Sequence, residues 1–255
     1  MLRRNRTKRH QYREFFAEGV TTINAAIRHD WKFHSIWFCR ERPLSDWAES
    51  VLQQANAAEH YEVTAGMLEK LSEKEDQSEL VAVLEMPPDD PGRLKLERDF
   101  VVIVADSPAN PGNLGTLIRS ADAFGSAGVI VTGHATDVYD PRTIRASVGS
   151  LFSLPVIRLA GPAQVASWLE VVKSSGHDPL VAALDPDGGH DLRNTPAYGP
   201  VVLIAGNENR GVSSGYEAMS SVALRIPMEG AANSLNVAVA VSIALYEIRR
   251  QRGDP

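Results

Sequence analysis

Short, mostly apolar runs recur through the second half of the chain: Phe100 to Ala105, Val129 to Thr132, Leu154 to Leu159, Leu180 to Leu184, Val201 to Ala205 and Val222 to Ile226. Runs this short that do not alternate apolar with polar residues belong to strands buried on both faces, which are parallel strands covered by helices on each side. The intervening segments fit that requirement. Leu114, Leu117, Ile118 and Ala121 recur at helical spacing, as do Val165, Trp168, Leu169 and Val172. A closing helix is marked by Val237, Val241, Ala244, Leu245 and Ile248. Repeated strand–loop–helix units predict an α/β fold with a parallel sheet over residues 100–255.

The front half is patterned differently. Phe16, Val20, Ile23 and Ile27 fall at helical spacing, Ser35 to Cys39 reads as a strand, and Trp47, Val51, Leu52 and Ala55 share a helical face. A short strand over Tyr61 to Val63, a helix capped by Thr64, and a strand over Leu80 to Leu84 complete a small α/β unit. The proline-rich stretch from Met86 to Arg93 continues neither a helix nor a central strand. The expected organisation is therefore a basic arm over 1–13, a small domain over 14–86, a linker over 87–99 and the large domain over 100–255.

The formal net charge of −6 argues against a surface coated for nucleic acid. The charge is unevenly spread, however. Arg3, Arg4, Arg6, Lys8, Arg9 and Arg13 fall within the first 13 residues, which contain no acid. That arm is either a solvated tail or a phosphate-contacting segment. The single cysteine, Cys39, rules out a disulfide within the chain. His10, His29, His34 and His60 have no cysteine companions, so no metal site is expected. No run approaches the roughly 18 apolar residues of a membrane span, and no secretory segment is legible, so a cytoplasmic protein is expected. Asp185 to Asp191 has the composition of a cation-binding loop without its spacing, and reads as a surface turn. Trp31, Trp37 and Trp47 read as core residues.

Ligands of parallel α/β sheets bind at the carboxyl ends of the strands. Three polar loops are expected there: Asn110 to Gly115 with Arg119, Gly206 to Gly211, and Ile226 to Asn236, which opens the closing helix. The strings Asn113-x5-Arg119, Gly206-x-Glu208-x2-Gly211 and Ser234-Leu235-Asn236-Val237 resemble, in order and approximate spacing, the three signature motifs of the SpoU/TrmH class of SPOUT RNA methyltransferases. Arg145-Ala146-Ser147-Val148-Gly149 is similar to a further family segment. The front half, with Phe16-Ala17-Glu18-Gly19, resembles the small ribosomal-protein-like RNA-binding domain that many members carry.

The resemblance implies a C-terminal trefoil knot, a homodimer with an active site completed across the interface, and S-adenosylmethionine as methyl donor. It implies cofactor contacts at Thr132, Gly133, Leu203, Ala205, Gly206, Ile226, Met228, Ser234 and Leu235. It also implies reaction-site roles for Asn113, Arg119, Glu208, Ser234 and Asn236. Arg119 would either contact the phosphate next to the target or assist proton removal, and Glu208 would brace its loop or take part directly. Arg145 would contact RNA or join an interface ion pair. The activity implied is ribose 2′-O-methylation without a metal, on large-subunit 23S rRNA, with tRNA as the alternative substrate. Two other readings compete. A nicotinamide-dependent oxidoreductase lacks its G-x-G-x-x-G string here. A non-catalytic RNA-binding or ribosome assembly factor would have no need of Asn113, Arg119, Glu208 and Asn236 together.

Overall fold

The computed structural model describes residues 2–72 and 78–253. The front unit comprises α1 (Arg6–Tyr12), β1 (Glu14–Glu18), α2 (Val20–Arg28), β2 (Phe33–Phe38), α3 (Asp46–Gln54), β3 (Ala57–Glu62), α4 (Ala65–Leu71) and β4 (Leu80–Glu85). Its four strands lie in the order β1-β4-β2-β3, with β4 antiparallel to both neighbours and β2 parallel to β3. Phe16, expected on the first helix, instead lies in β1. Phe15, Phe16 and Ala17 are all buried there, so both faces of the strand are covered. Gly19, with φ of 90°, turns the chain from that strand into α2.

The second unit runs β5 (Val101–Asp106), α5 (Pro111–Ala123), β6 (Gly128–Thr132), α6 (Pro141–Ser147), α7 (Ser150–Ser153), β7 (Val156–Leu159), α8 (Pro162–Ser174), β8 (Leu180–Leu184), β9 (His190–Asp191), β10 (Val201–Ala205), α9 (Ser214–Met219), β11 (Val222–Arg225) and α10 (Val237–Gln251). The seven strands are ordered β7-β6-β5-β10-β8-β11-β9, and every pairing is parallel. Alternate residues of β5 explain its unbroken apolar run. Val101, Ile103 and Ala105 join a core that includes Val241 and Leu245 of α10, while Val102 and Val104 join the opposite core with Trp168 and Tyr216. The short helices α6, α7 and α9 escape the periodicity argument because four to seven residues hold too few turns to show a stripe.

The two units share a core. Phe15 lies with its ring centroid 4.7 Å from Tyr139, Trp31 meets Phe152 edge-on at 5.0 Å, and the Trp31 Nε1–H donates to the Phe152 carbonyl at 2.9 Å. The basic arm is drawn into the same junction. Asn5 caps α1 by accepting from the Lys8 N–H. Arg9 is 3% exposed and contacts Asp137 through Nε at 2.8 Å and Nη2 at 2.7 Å. Arg6 donates to the Ala135 carbonyl, Arg13 to that of Pro87, and Arg3 to those of Leu71 and Ser72. The expectation of a free phosphate-contacting arm is therefore corrected for Arg9, whose charge is held inside the protein. Burial pulls the pKa of neighbouring His10 below its ordinary value, despite the opposing charge of Asp137.

Removing one partner of a buried ion pair leaves the other charge desolvated and uncompensated. Arg9→Met is expected to lower unfolding stability by about 3–5 kcal/mol in urea titrations. Unchanged stability would show that Arg9 has no structural role.

Candidate active site

The neighbouring strands β5, β10, β8 and β11 end on one edge of the sheet, and the loops that follow them surround a cleft of about 480 Å³. That volume lies within the range that small-molecule sites occupy. Leu184, Leu224, Ile226 and Leu235 give it an apolar side, while Asn113, Glu208, Ser234 and Asn236 give it a polar one.

The polar side is built around one carboxylate. Glu208, in the loop after β10, accepts hydrogen bonds from the backbone N–H groups of Ala109 (3.1 Å) and Asn110 (3.3 Å) and from Asn113 Nδ2 (3.0 Å). Because Glu208 is an acceptor, the Asn113 amide must present its nitrogen there and its oxygen outward. That oxygen accepts from Asn236 Nδ2 at 2.9 Å. The Asn236 oxygen in turn faces α10 and caps it by accepting from Ala238 and Val239. One chain of side chains thus joins the loop after β5, the loop after β10 and the start of α10, with the orientation of each amide determined by its neighbour. Burial pushes the Glu208 pKa up, but its Asn113 and backbone hydrogen bonds together outweigh this and hold it below the ordinary value.

Further contacts close the two loops on each other. Asn207 Nδ2 donates to the Ser107 carbonyl at 2.7 Å, and the Ser213 N–H donates to the buried Asp106 carboxylate at 3.0 Å. Asn207 and Gly211 exchange two backbone hydrogen bonds of 2.9 Å. The turn is so tight that a Cβ on Gly206 would lie 2.2 Å from the Gly211 carbonyl carbon. These glycines are where the backbone requires them, at the base of the cleft.

Ala205, Gly206, Ile226, Met228, Ser234 and Leu235 also line the cleft. Three residues named with them from sequence lie elsewhere. Leu203 is fully buried within β10. Thr132 is 1% exposed and accepts from the Tyr216 hydroxyl at 2.7 Å, the phenol being pushed by burial to a pKa of about 12. Gly133 follows β6, which lies on the far side of β5 from β10, and packs against Ser107. Arg119 does not line the cleft. Six residues beyond Asn113 it points about 240° further round α5, it is exposed, and among the described residues it makes no hydrogen bond or ion pair. Conversely, Asp185 and Pro186, read from sequence as part of a surface turn, line the cleft after β8. The strand order alone brings them there. Arg145 lies on α6, 4.0 Å from Glu18.

A parallel sheet with a polar-mouthed cleft at its carboxyl edge defines an α/β protein built to hold a small ligand at the strand ends. Comparison with known proteins gives the family. Residues 100–246 match the SpoU rRNA Methylase family and residues 1–82 match the SpoU L30e-like domain. The chain belongs to the SpoU rRNA methylase family. It is 41% identical over 249 residues to a 23S rRNA (uridine(2479)-2′-O)-methyltransferase of Streptomyces viridochromogenes, covering 97% of this chain and 86% of that one. It is 33% identical over 189 residues to the 23S rRNA (guanosine(2553)-2′-O)-methyltransferase RlmP of Bacillus subtilis, covering 74% of this chain and 72% of that one. Among solved structures, the SpoU methyltransferase AviRb from Streptomyces viridochromogenes, in complex with AdoMet, superposes with a TM-score of 0.94 at 40% identity, covering 98% of this chain and 95% of that one. An AdoMet-bound rRNA methyltransferase from Sinorhizobium meliloti superposes with a TM-score of 0.84 at 29% identity, covering 96% and 90%.

Glu208→Gln replaces one acceptor oxygen by a donor, which must then face another donor. Amide hydrogen exchange at Ala109 and Asn110 is expected to rise by about tenfold or more, and protection equal to wild type would contradict the bracing role. Because the Glu208 pKa is lowered on folding, its stabilisation is present above the ordinary value of 4.5 and is lost as pH falls below it. Wild type should therefore lose stability in that acid range more steeply than Glu208→Gln.

Proposed function

We propose that this chain transfers a methyl group from S-adenosylmethionine to a ribose 2′-hydroxyl of 23S rRNA. The observation that carries the reading is the cleft at the strand ends with its Glu208–Asn113–Asn236 chain, in a protein of the SpoU family whose relatives are named for that activity. The residues present suit the cofactor: an apolar side for a base, and hydrogen-bonding groups at the mouth. Ala205, Gly206, Ile226, Met228, Ser234 and Leu235 would hold it. When bound, it supplies a methyl group on a positively charged sulfur. The ribose oxygen forms a bond to the methyl carbon as the carbon–sulfur bond breaks, the electron pair stays on sulfur, and the hydroxyl proton passes to solvent.

Such a displacement needs alignment and a stabilised attacking oxygen. Asn113 and Asn236 supply the alignment by fixing the cleft mouth. Arg119 supplies the charge. A guanidinium stays protonated in proteins, so its role is to donate hydrogen bonds to the reacting oxygen or the adjoining phosphate instead of removing the proton. Among the described residues no partner within its own chain competes for it.

Arg119 faces away from its own cleft, which supports a homodimer in which it serves the partner's. The Ser120 and Ser242 hydroxyls join α5 to α10 at 2.7 Å, one residue along from Arg119 and Ile243. Val239, Ile243 and Tyr246 form an exposed apolar row on α10, a suitable surface for a second copy. The segment after β11 returns past the loops following β8 and β10 to start α10 beside α5, the path a trefoil knot would take. The front unit would bind RNA, with Arg4 and Lys8 as phosphate contacts, while Arg145 of α6 pairs with Glu18 and Arg3, Arg6, Arg9 and Arg13 are engaged within the protein. A cytoplasmic location follows from the ribosomal substrate. Among the described residues no helix is long and apolar enough to cross a membrane.

Arg119→Ala is expected to reduce methyl transfer by at least about a hundredfold while S-adenosylmethionine binding by calorimetry stays within about threefold of wild type. Near-normal transfer would refute the assignment. Ile243→Glu is expected to give monomers in light scattering. A variant that stays dimeric would place the interface elsewhere.

A further inference from the structure

Asp185 is an acid in the cleft that no step above uses. It directly follows β8, its N–H donates to the Leu224 carbonyl at 2.9 Å, and its Oδ1 accepts from the Asp187 N–H at 2.9 Å. That contact fixes the carboxylate within a tight turn. Among the described residues the side chain has no cationic partner, and its second oxygen accepts no hydrogen bond. Glu208, the other cleft carboxylate, already receives three donors from the protein. Asp185 is therefore the anionic acceptor left for a ligand.

Its position indicates which part of a ligand it meets. β8 and β5 flank β10 on opposite sides. Asn113 and Glu208 occupy the β5 side, whereas Asp185 lies beside the apolar residues Leu184 and Leu224. A nucleoside with its base against that apolar side and its reactive end at Asn113 would bring its sugar between the two. Vicinal hydroxyls are donors suited to a carboxylate, and bonds to a charged acceptor are stronger than neutral ones. We infer that Asp185 is a specificity-determining residue whose carboxylate receives the ribose hydroxyls of the adenosyl cofactor, making the cleft selective for ribonucleosides. This rests on the proposal that the cleft binds S-adenosylmethionine.

Calorimetry with S-adenosylhomocysteine, 5′-methylthioadenosine and 2′-deoxy-5′-methylthioadenosine tests it, because the second ligand keeps the diol and lacks the amino-acid group. Wild type should bind the deoxy ligand about tenfold or more weakly than its ribose counterpart. Asp185→Ala should weaken S-adenosylhomocysteine and methylthioadenosine by similar factors and no longer distinguish the deoxy ligand. Asp185→Asn, which keeps an acceptor for the Asp187 N–H, should fall in between. Loss confined to S-adenosylhomocysteine would overturn the inference by assigning Asp185 to the α-ammonium group. Equal wild-type affinity for ribose and deoxyribose ligands would overturn it without recourse to any variant. Failure of wild type to bind any of the three would instead refute the proposed function itself.

Discussion

The carboxylate of Glu208 is the contact on which the cleft depends. It belongs to the loop after β10, yet its hydrogen-bond donors come from the loop after β5. Without it, two strand-end loops would face each other with unpaired N–H groups. With it, the Asn113 amide has one permitted orientation, Asn236 must follow, and α10 begins where Asn236 caps it. The groups that would handle substrate are thereby held by the same bonds that close the fold, and the cleft is preorganised by elements buried deep in the sheet. Asn113 is 95 positions from Glu208 and 123 from Asn236 in sequence, so their meeting is a consequence of strand order and parallel register.

The front unit is tied to this sheet by chemistry of another kind. Phe15, Trp31, Tyr139 and Phe152 form an aromatic contact between the units, and Arg9 crosses the same boundary to Asp137. An RNA held by the front unit would therefore be presented at a fixed distance from the cleft. The arm's positive charge is largely directed inward, to carbonyl oxygens and one carboxylate. The chain can thus carry a dense cationic segment without a strongly basic outer face, consistent with its net charge of −6.

Much of the large unit was legible in sequence because parallel strands buried on both faces write themselves as continuous apolar runs, as β5 and β10 do. The family was legible because Asn113, Glu208 and Asn236 recur in motifs whose order survives the folding. Other features were not. Phe16 falls at helical spacing with Val20 and Ile23 by coincidence of a strand, a glycine turn and a helix. Arg9 looks like a surface cation because its partner Asp137 is 128 residues away. Thr132 and Gly133 stand at the end of a strand as the cleft residues do, but β6 lies beyond β5 in the strand order, one strand further from β10. Asp185 is inconspicuous in sequence for the converse reason: its loop has an ordinary turn composition, and the neighbouring strands show what it faces.

The most direct test of the coupled cleft is a double-mutant cycle between Glu208 and Asn236, which among the described residues do not hydrogen-bond each other but are each bonded to Asn113. Affinity for S-adenosylhomocysteine would be measured by calorimetry in wild type, Glu208→Ala, Asn236→Ala and the double variant. If the chain acts as a unit, the double variant should lose less than the sum of the single losses, with a coupling of about 0.5–3 kcal/mol. Strict additivity would show that the two residues shape the cleft independently and would contradict the account.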